Sequence, residues 1–135
     1  MQRCRGGGPL EDTPTILVVE DEMMILHMIE MALGDGGFKV IPAATGERAV
    51  QILDASQSPI RAIVTDIKLG SGMSGWDVAK HARQINPDIG VIYVTGHGED
   101  EWPTLGLPKS VLIPKPFVIA QLLTAVSNLV TGKSK

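Results

Sequence analysis

A handful of polar residues each follow, or close, a short apolar run. Glu20 and Asp21 follow residues 15–19, Asp66 follows residues 62–65, Thr95 closes residues 91–95, and Lys115 stands just past residues 111–113. If these points met, Glu20, Asp21 and Asp66 would put three carboxylates in one shallow pocket. Like charges that close raise each other's pKa unless a cation intervenes. The natural remedy is a hard divalent cation such as Mg²⁺, which needs only one or two carboxylates besides waters and phosphate oxygens. The Lys115 ammonium and the Thr95 hydroxyl would add the remaining groups that hold the equatorial oxygens of a phosphoryl in transfer. Asp66 would then keep a carboxylate oxygen for attack, and the product would be an acyl phosphate.

Each element alone is weak. An acidic pair after a strand is usually helix N-terminal charge favoured by the macrodipole, and a Lys-Pro pair is usually a turn. The pattern gains force only if the fold brings all of them to one edge, and the intervening sequence predicts that. Residues 15–19 are a continuous apolar, β-branched run, as in a strand buried on both faces. Residues 22–33 follow at helical spacing with Ile25, Ile29, Ala32 and Leu33 on one face, stopped by Gly34, Gly36 and Gly37. Residues 38–41 read as a second strand, and Thr45 caps a helix to about residue 55. Residues 62–65 form a third strand, and a glycine-rich loop leads to a helix over 75–86 with Val78, Ala82 and Ile85 inward. Strands over 91–95 and 111–113 follow. A last helix over 117–130 turns Val118, Leu122, Ala125, Val126 and Leu129 to the sheet. Strands alternating with helices imply a doubly wound α/β fold, a parallel sheet with helices on both faces. Ligands in such sheets bind beyond the carboxyl ends of the strands.

Composition is that of a globular domain: 135 residues, 44% hydrophobic, 20% charged, net charge −3. The acidic balance and the lack of a Lys/Arg cluster speak against a nucleic-acid partner. The apolar runs are too short for a membrane span. The single cysteine, Cys4, fits a reducing cytoplasm. Residues 1–14, with three successive glycines, read as a flexible leader, 15–130 as the folded domain and 131–135 as a flexible tail.

The segments ILVVEDE at 16–22, IVTD at 63–66, VIYVTG at 91–96 and IPKPF at 113–117 together resemble the signature segments of bacterial two-component response-regulator receiver domains. The resemblance covers about residues 15–130. It implies a flavodoxin-like five-stranded sheet of order 2-1-3-4-5, with Asp66 as phosphoacceptor. Asp21 and Asp66 would ligate Mg²⁺, with Glu20 acting largely through water and the Lys68 backbone carbonyl as a further ligand. Thr95 and Lys115 would touch the phosphoryl group. The bond between Lys115 and Pro116 would be cis, as proline permits. The implied partners are a histidine kinase or histidine phosphotransfer protein and a downstream protein target. A homodimer through the fifth strand and last helix is a further option.

Three departures stand out. Gly70 occupies a position where most receivers have proline, in a loop one residue longer than usual. Leu112 stands where many carry a switching aromatic. Residues 96–110, with two prolines and three glycines, predict a loop with at most a short helical turn where a full fourth helix would stand. The Thr95-Gly96 start and Leu112 are similar to an atypical stand-alone subgroup of alphaproteobacteria.

Rival readings are poorer. Gly70, Gly72 and Gly75 match a dinucleotide fingerprint literally, but it would belong to the first strand. An aspartyl-phosphate hydrolase needs its nucleophile after the first strand. A receiver-shaped interaction module would lack an acceptor, acid or lysine, and none is lacking here. A receiver domain cut from a hybrid sensor kinase fits the same residues. His27, His81 and His97 show no metal spacing. Met23, Met24, Met28 and Met31 read as part core and part soft flank of the first helix, itself a partner face.

Overall fold

The computed structural model describes residues 13–56, 59–70, 72–96 and 106–131. The first strand, β1, is Thr15–Val19. Helix α1, Met23–Asp35, follows, then β2, Lys39–Ala43, and α2, Gly46–Ala55. The second half runs β3, Ala62–Asp66, α3, Gly75–Ile85, β4, Gly90–Thr95, β5, Ser110–Pro114, and α4, Ile119–Thr131. All strand pairs are parallel and the order is β2-β1-β3-β4-β5, the doubly wound order expected.

Alternating side chains of β1 feed two separate cores. Leu17 and Val19 pack with Ile63, Val91 and Tyr93 beneath α2 and α3. Ile16 and Val18 pack with Val64, Ile92 and Ile113 beneath α1 and α4. This is the period of two of a pleated strand, with apolar residues needed on both faces because helices cover both. Every residue of β3 and β4 is buried. The outer strands are more open, and β2 tolerates Pro42 because an edge position does not require its N–H.

The helices start where polar caps allow. Thr45 Oγ1 accepts from Arg48 N at 3.0 Å. Ser74 and Asp77 form a reciprocal capping box at the start of α3. Helix α1 passes through Gly34 and ends at Gly36, and Gly37 supplies the positive φ of the turn, +98°.

Several face assignments need correction. Ile85 is 49% exposed, because it is the last residue of α3 and overhangs the sheet. Val118 is 67% exposed, because α4 begins one residue after it. The four methionines Met23, Met24, Met28 and Met31 are all exposed and none joins the core; Leu26 takes the buried place on α1 instead. Leu112 is half-buried against the α2/α3 core. Of the segment 96–110, residues 97–105 lie outside the described residues, as do 1–12 and 132–135 of the expected leader and tail. One residue before β1, the Pro14 carbonyl accepts from Lys39 N at 2.9 Å. No described helix is long and apolar enough to cross a membrane.

Candidate functional site

The strand register brings the chemistry to one edge. Val19 lies opposite Thr65, Asp66 opposite Val94, and Thr95 opposite Pro114. The residues that end or follow β1, β3, β4 and β5 therefore form one row. Backbone bonds carry the ladder a step past the strands: Glu20 N donates to Ala43 O at 3.1 Å, and Lys115 N donates to Thr95 O at 2.7 Å. The Lys115–Pro116 bond is cis.

Ligand oxygens of Glu20, Asp21 and Asp66 lie within 4.8 Å of one another. Glu20 and Asp66 are nearly out of solvent, at 1% and 8% exposure, while Asp21 is open to water. Lys115 Nζ stands between the buried pair, 3.0 Å from Glu20 Oε1 and 3.0 Å from Asp66 Oδ2. Glu22 Oε1 lies 3.7 Å from the same ammonium. Backbone donors help: Glu22 N reaches Glu20 Oε2 at 3.1 Å, and Lys68 N reaches Asp66 Oδ1 at 3.3 Å.

One ammonium does not balance this cluster. Burial pushes the Glu20 carboxyl up to about 7; the Glu22 N–H opposes, the Asp66 charge adds, and Lys115 opposes. An acid whose pKa rises on folding withdraws stability as pH climbs from the ordinary value of 4.5 through about 7. For Lys115, burial pulls the pKa down, but hydrogen bonds to Asp66 and Glu20 outweigh it and the net shift is upward. Hard oxygen donors crowded this closely suit a divalent cation of the Mg²⁺ kind.

The loop from β3 to α3 sets one wall. Gly75 N donates to Ile67 O at 2.7 Å and closes the loop at its neck. A Cβ on Gly75 would run into the Asp66 carbonyl oxygen and lie 2.8 Å from Ile67 Cα. Gly70 carries a φ of +74°. The proline-free loop thus rests on glycines at positions where a side chain would be strained or would clash.

The structure therefore unites Glu20, Asp21, Asp66 and Lys115 directly. Thr95 is buried at the end of β4, one backbone bond from Lys115. Lys68 begins the loop. Two carboxylates went unassigned from sequence. Glu22 was visible in the acidic run but reads as helix charge. Glu47, whose Oε2 accepts from Met73 N at 3.0 Å, had no spacing signal, because its partner is a backbone amide. Away from the site, His81 Nε2 pairs with Asp54 Oδ1 at 2.8 Å across α2 and α3.

Comparison with known proteins agrees with this fold. The chain is 32% identical over 123 residues to the sensor kinase CckA of Brucella abortus, covering 89% of this chain but only 13% of the kinase. It thus matches one portion of a much longer protein. A response regulator receiver protein from Sinorhizobium medicae superposes with a TM-score of 0.86 at 38% identity, covering 90% of this chain and 98% of that one. The response regulator TrrA of Thermotoga maritima, solved in complex with Mg²⁺–BeF, superposes with a TM-score of 0.74 at 25% identity, covering 87% and 99%. The family profile described as the response regulator receiver domain matches residues 16–127. The chain belongs to the response regulator receiver domain family.

Proposed function

We propose that Asp66 is the phosphoacceptor, taking a phosphoryl group from a histidine kinase or a histidine phosphotransfer protein. The observation that carries this is the placement of Lys115 Nζ 3.0 Å from both the Asp66 and Glu20 carboxylates, in a buried cluster at the strand ends. A carboxylate oxygen of Asp66 attacks phosphorus, the bond to the donor's imidazole nitrogen breaks, and the imidazole leaves with the electron pair. An acyl phosphate results. Lys115 passes from Asp66 to the incoming phosphoryl oxygens, and Thr95 offers its hydroxyl to the same group. Asp21 and Asp66, the Lys68 backbone carbonyl, and Glu20 through water are the groups that would hold Mg²⁺. The metal's contribution is to neutralise charge on the phosphoryl oxygens. The acceptor assists its own phosphorylation and dephosphorylation and turns over no separate substrate.

The donor's approach is supported by an apolar flank. Met24, Met28 and Met31 are exposed along α1, and Ile25 and Met28 share a groove with Lys115, Pro116 and Phe117. An apolar helical surface seated there would bring its phosphohistidine to the strand ends. A second groove, lined by Val111, Ala120, Ala125 and Leu129, supports contact with a target or a second copy through β5 and α4.

The decisive measurement is intact mass after incubation with a small-molecule phosphodonor and Mg²⁺. Wild type gains one phosphate, and Asp66→Ala gains none. An adduct that persists in Asp66→Ala overturns the assignment. Calorimetric Mg²⁺ titration should find Asp21→Asn at least about tenfold weaker than wild type, since even changes beyond the direct ligands cost that much. Equal affinities contradict the metal site.

A further inference from the structure

The β3–α3 loop is held by groups unequal in kind. Its neck closes through the bond from Gly75 N to Ile67 O at 2.7 Å. Leu69 is buried in the α2/α3 core. Between these points the chain runs beside Asp21: the Cβ position of Gly70 lies 3.9 Å from Asp21 Oδ2. Its far side is tied to another element by a side-chain hydrogen bond. Glu47, in the first turn of α2, accepts from Met73 N through Oε2 at 3.0 Å.

The surroundings are shaped for that bond. A Cβ on Gly72 would strike Glu47 Oε2 and lie 2.7 Å from its Oε1 and 2.9 Å from its Cδ, so only glycine leaves the carboxylate its place. No positive φ accounts for this glycine. Gly46, beside Glu47, would place a Cβ 2.8 Å from Met73 Cβ and 3.1 Å from Met73 O. Two glycines on two different elements thus permit one close approach. The Glu47 charge also sits in the first turn of α2, where the helix dipole favours it.

We infer that Glu47 is a positioning residue for the metal site: by holding Met73 N–H, it fixes the loop whose Lys68 N–H donates to Asp66 and whose Lys68 carbonyl would be offered to the metal, and whose Gly70 lies beside Asp21. The inference rests on the Mg²⁺ reading proposed above. A net hydrogen bond of this type is worth about 0.5–1.5 kcal/mol, which corresponds to about two- to twelvefold in affinity.

The test is calorimetric Mg²⁺ titration of wild type, Glu47→Ala, Glu47→Gln, Gly72→Ala and the Glu47→Ala/Gly72→Ala double variant. Metal-free thermal unfolding of each accompanies it. Glu47→Ala should weaken Mg²⁺ about two- to twelvefold. Glu47→Gln, which keeps an oxygen acceptor, should recover most of the loss. Gly72→Ala displaces the carboxylate without removing it and should reproduce the Glu47→Ala loss. The double variant should lose no more than either single one, as expected when both break one contact. Phosphoryl uptake in Glu47→Ala should then fall most at limiting Mg²⁺ and least at saturation.

A merely structural Glu47 would lower the melting temperature and leave Mg²⁺ affinity untouched, and that result overturns the inference. So does strict additivity in the double variant. If wild type itself binds no Mg²⁺ and takes no phosphoryl group, the metal reading fails and this inference falls with it. If wild type does both and Glu47→Ala matches it, only the inference fails.

Discussion

The two ends of the sheet treat charge in opposite ways. At the amino ends of the strands, Arg61 donates to Val130 O at 2.7 Å, and Arg83 donates to Ile89 O at 3.2 Å and Pro108 O at 2.8 Å. Each guanidinium meets neutral carbonyls that a helix or loop terminus would otherwise leave unpaired. An apolar groove lined by Leu53, Ile60, Ala82, Ile85 and Ile89 lies at the same end. At the carboxyl ends, one ammonium serves Glu20, Asp66 and, farther off, Glu22, with the first two buried. The amino end uses charge to finish secondary structure. The carboxyl end concentrates charge at a cost to stability, an arrangement that is common at functional sites.

Gly75→Ala should break the contrast most severely. The new Cβ meets backbone at Asp66 and Ile67, which cannot swing aside as a side-chain tip can. A loss of about 3 kcal/mol or more is expected in urea unfolding, with phosphoryl uptake by Asp66 lost as well. Wild-type stability would show that the loop has slack and that the acceptor is not rigidly held.

Lys115→Ala comes next. It leaves two buried carboxylates without their cation, and about 2 kcal/mol should disappear from metal-free stability, somewhat below the range for a fully buried pair because Lys115 keeps 18% exposure. Mg²⁺ should still bind and should restore part of the loss, since it binds the folded state preferentially. Phosphoryl uptake should be slow even so. A variant equal to wild type in metal-free stability and in uptake would reduce Lys115 to a turn residue.

Arg61→Ala should have the smallest effect, about 0.5–1.5 kcal/mol, with Mg²⁺ affinity unchanged. A change in metal affinity from this distance would mean that the two ends are coupled through α4 and the sheet, and the contrast would have to be redrawn.

Much of this was legible in the sequence because parallel strands flanked by helices write continuous apolar runs, and each run here ends in a residue with distinct chemistry. Asp66, Lys115 and the Glu20–Asp21 pair were found that way. Helix faces were read less well at their ends. Ile85 and Val118 obey helical spacing, yet one overhangs the sheet and the other precedes its helix. Periodicity tells which side of a helix a residue lies on, but not whether the sheet extends that far. The placement of all four α1 methionines outside the core has a similar origin, since Leu26, Ile29 and Leu33 already fill the narrow stripe that β1 and β2 can cover. Glu47 was beyond reach for a different reason. Its partner is a backbone N–H on another element, and backbone donors are identical at every position.

One packing contact has an optical consequence. Tyr93 is fully buried, its hydroxyl accepts from Leu107 N at 3.3 Å, and its ring lies 4.7 Å from that of Trp76, tilted by 55°. It is also the only tyrosine in the chain. At that separation, excitation of the phenol passes to the indole before it can emit, so the native protein should be silent in tyrosine emission. Trp76 itself borders the loop beside Lys68 and Gly70. The appearance of a tyrosine band during denaturation would therefore time the separation of α3 from β4, without any label.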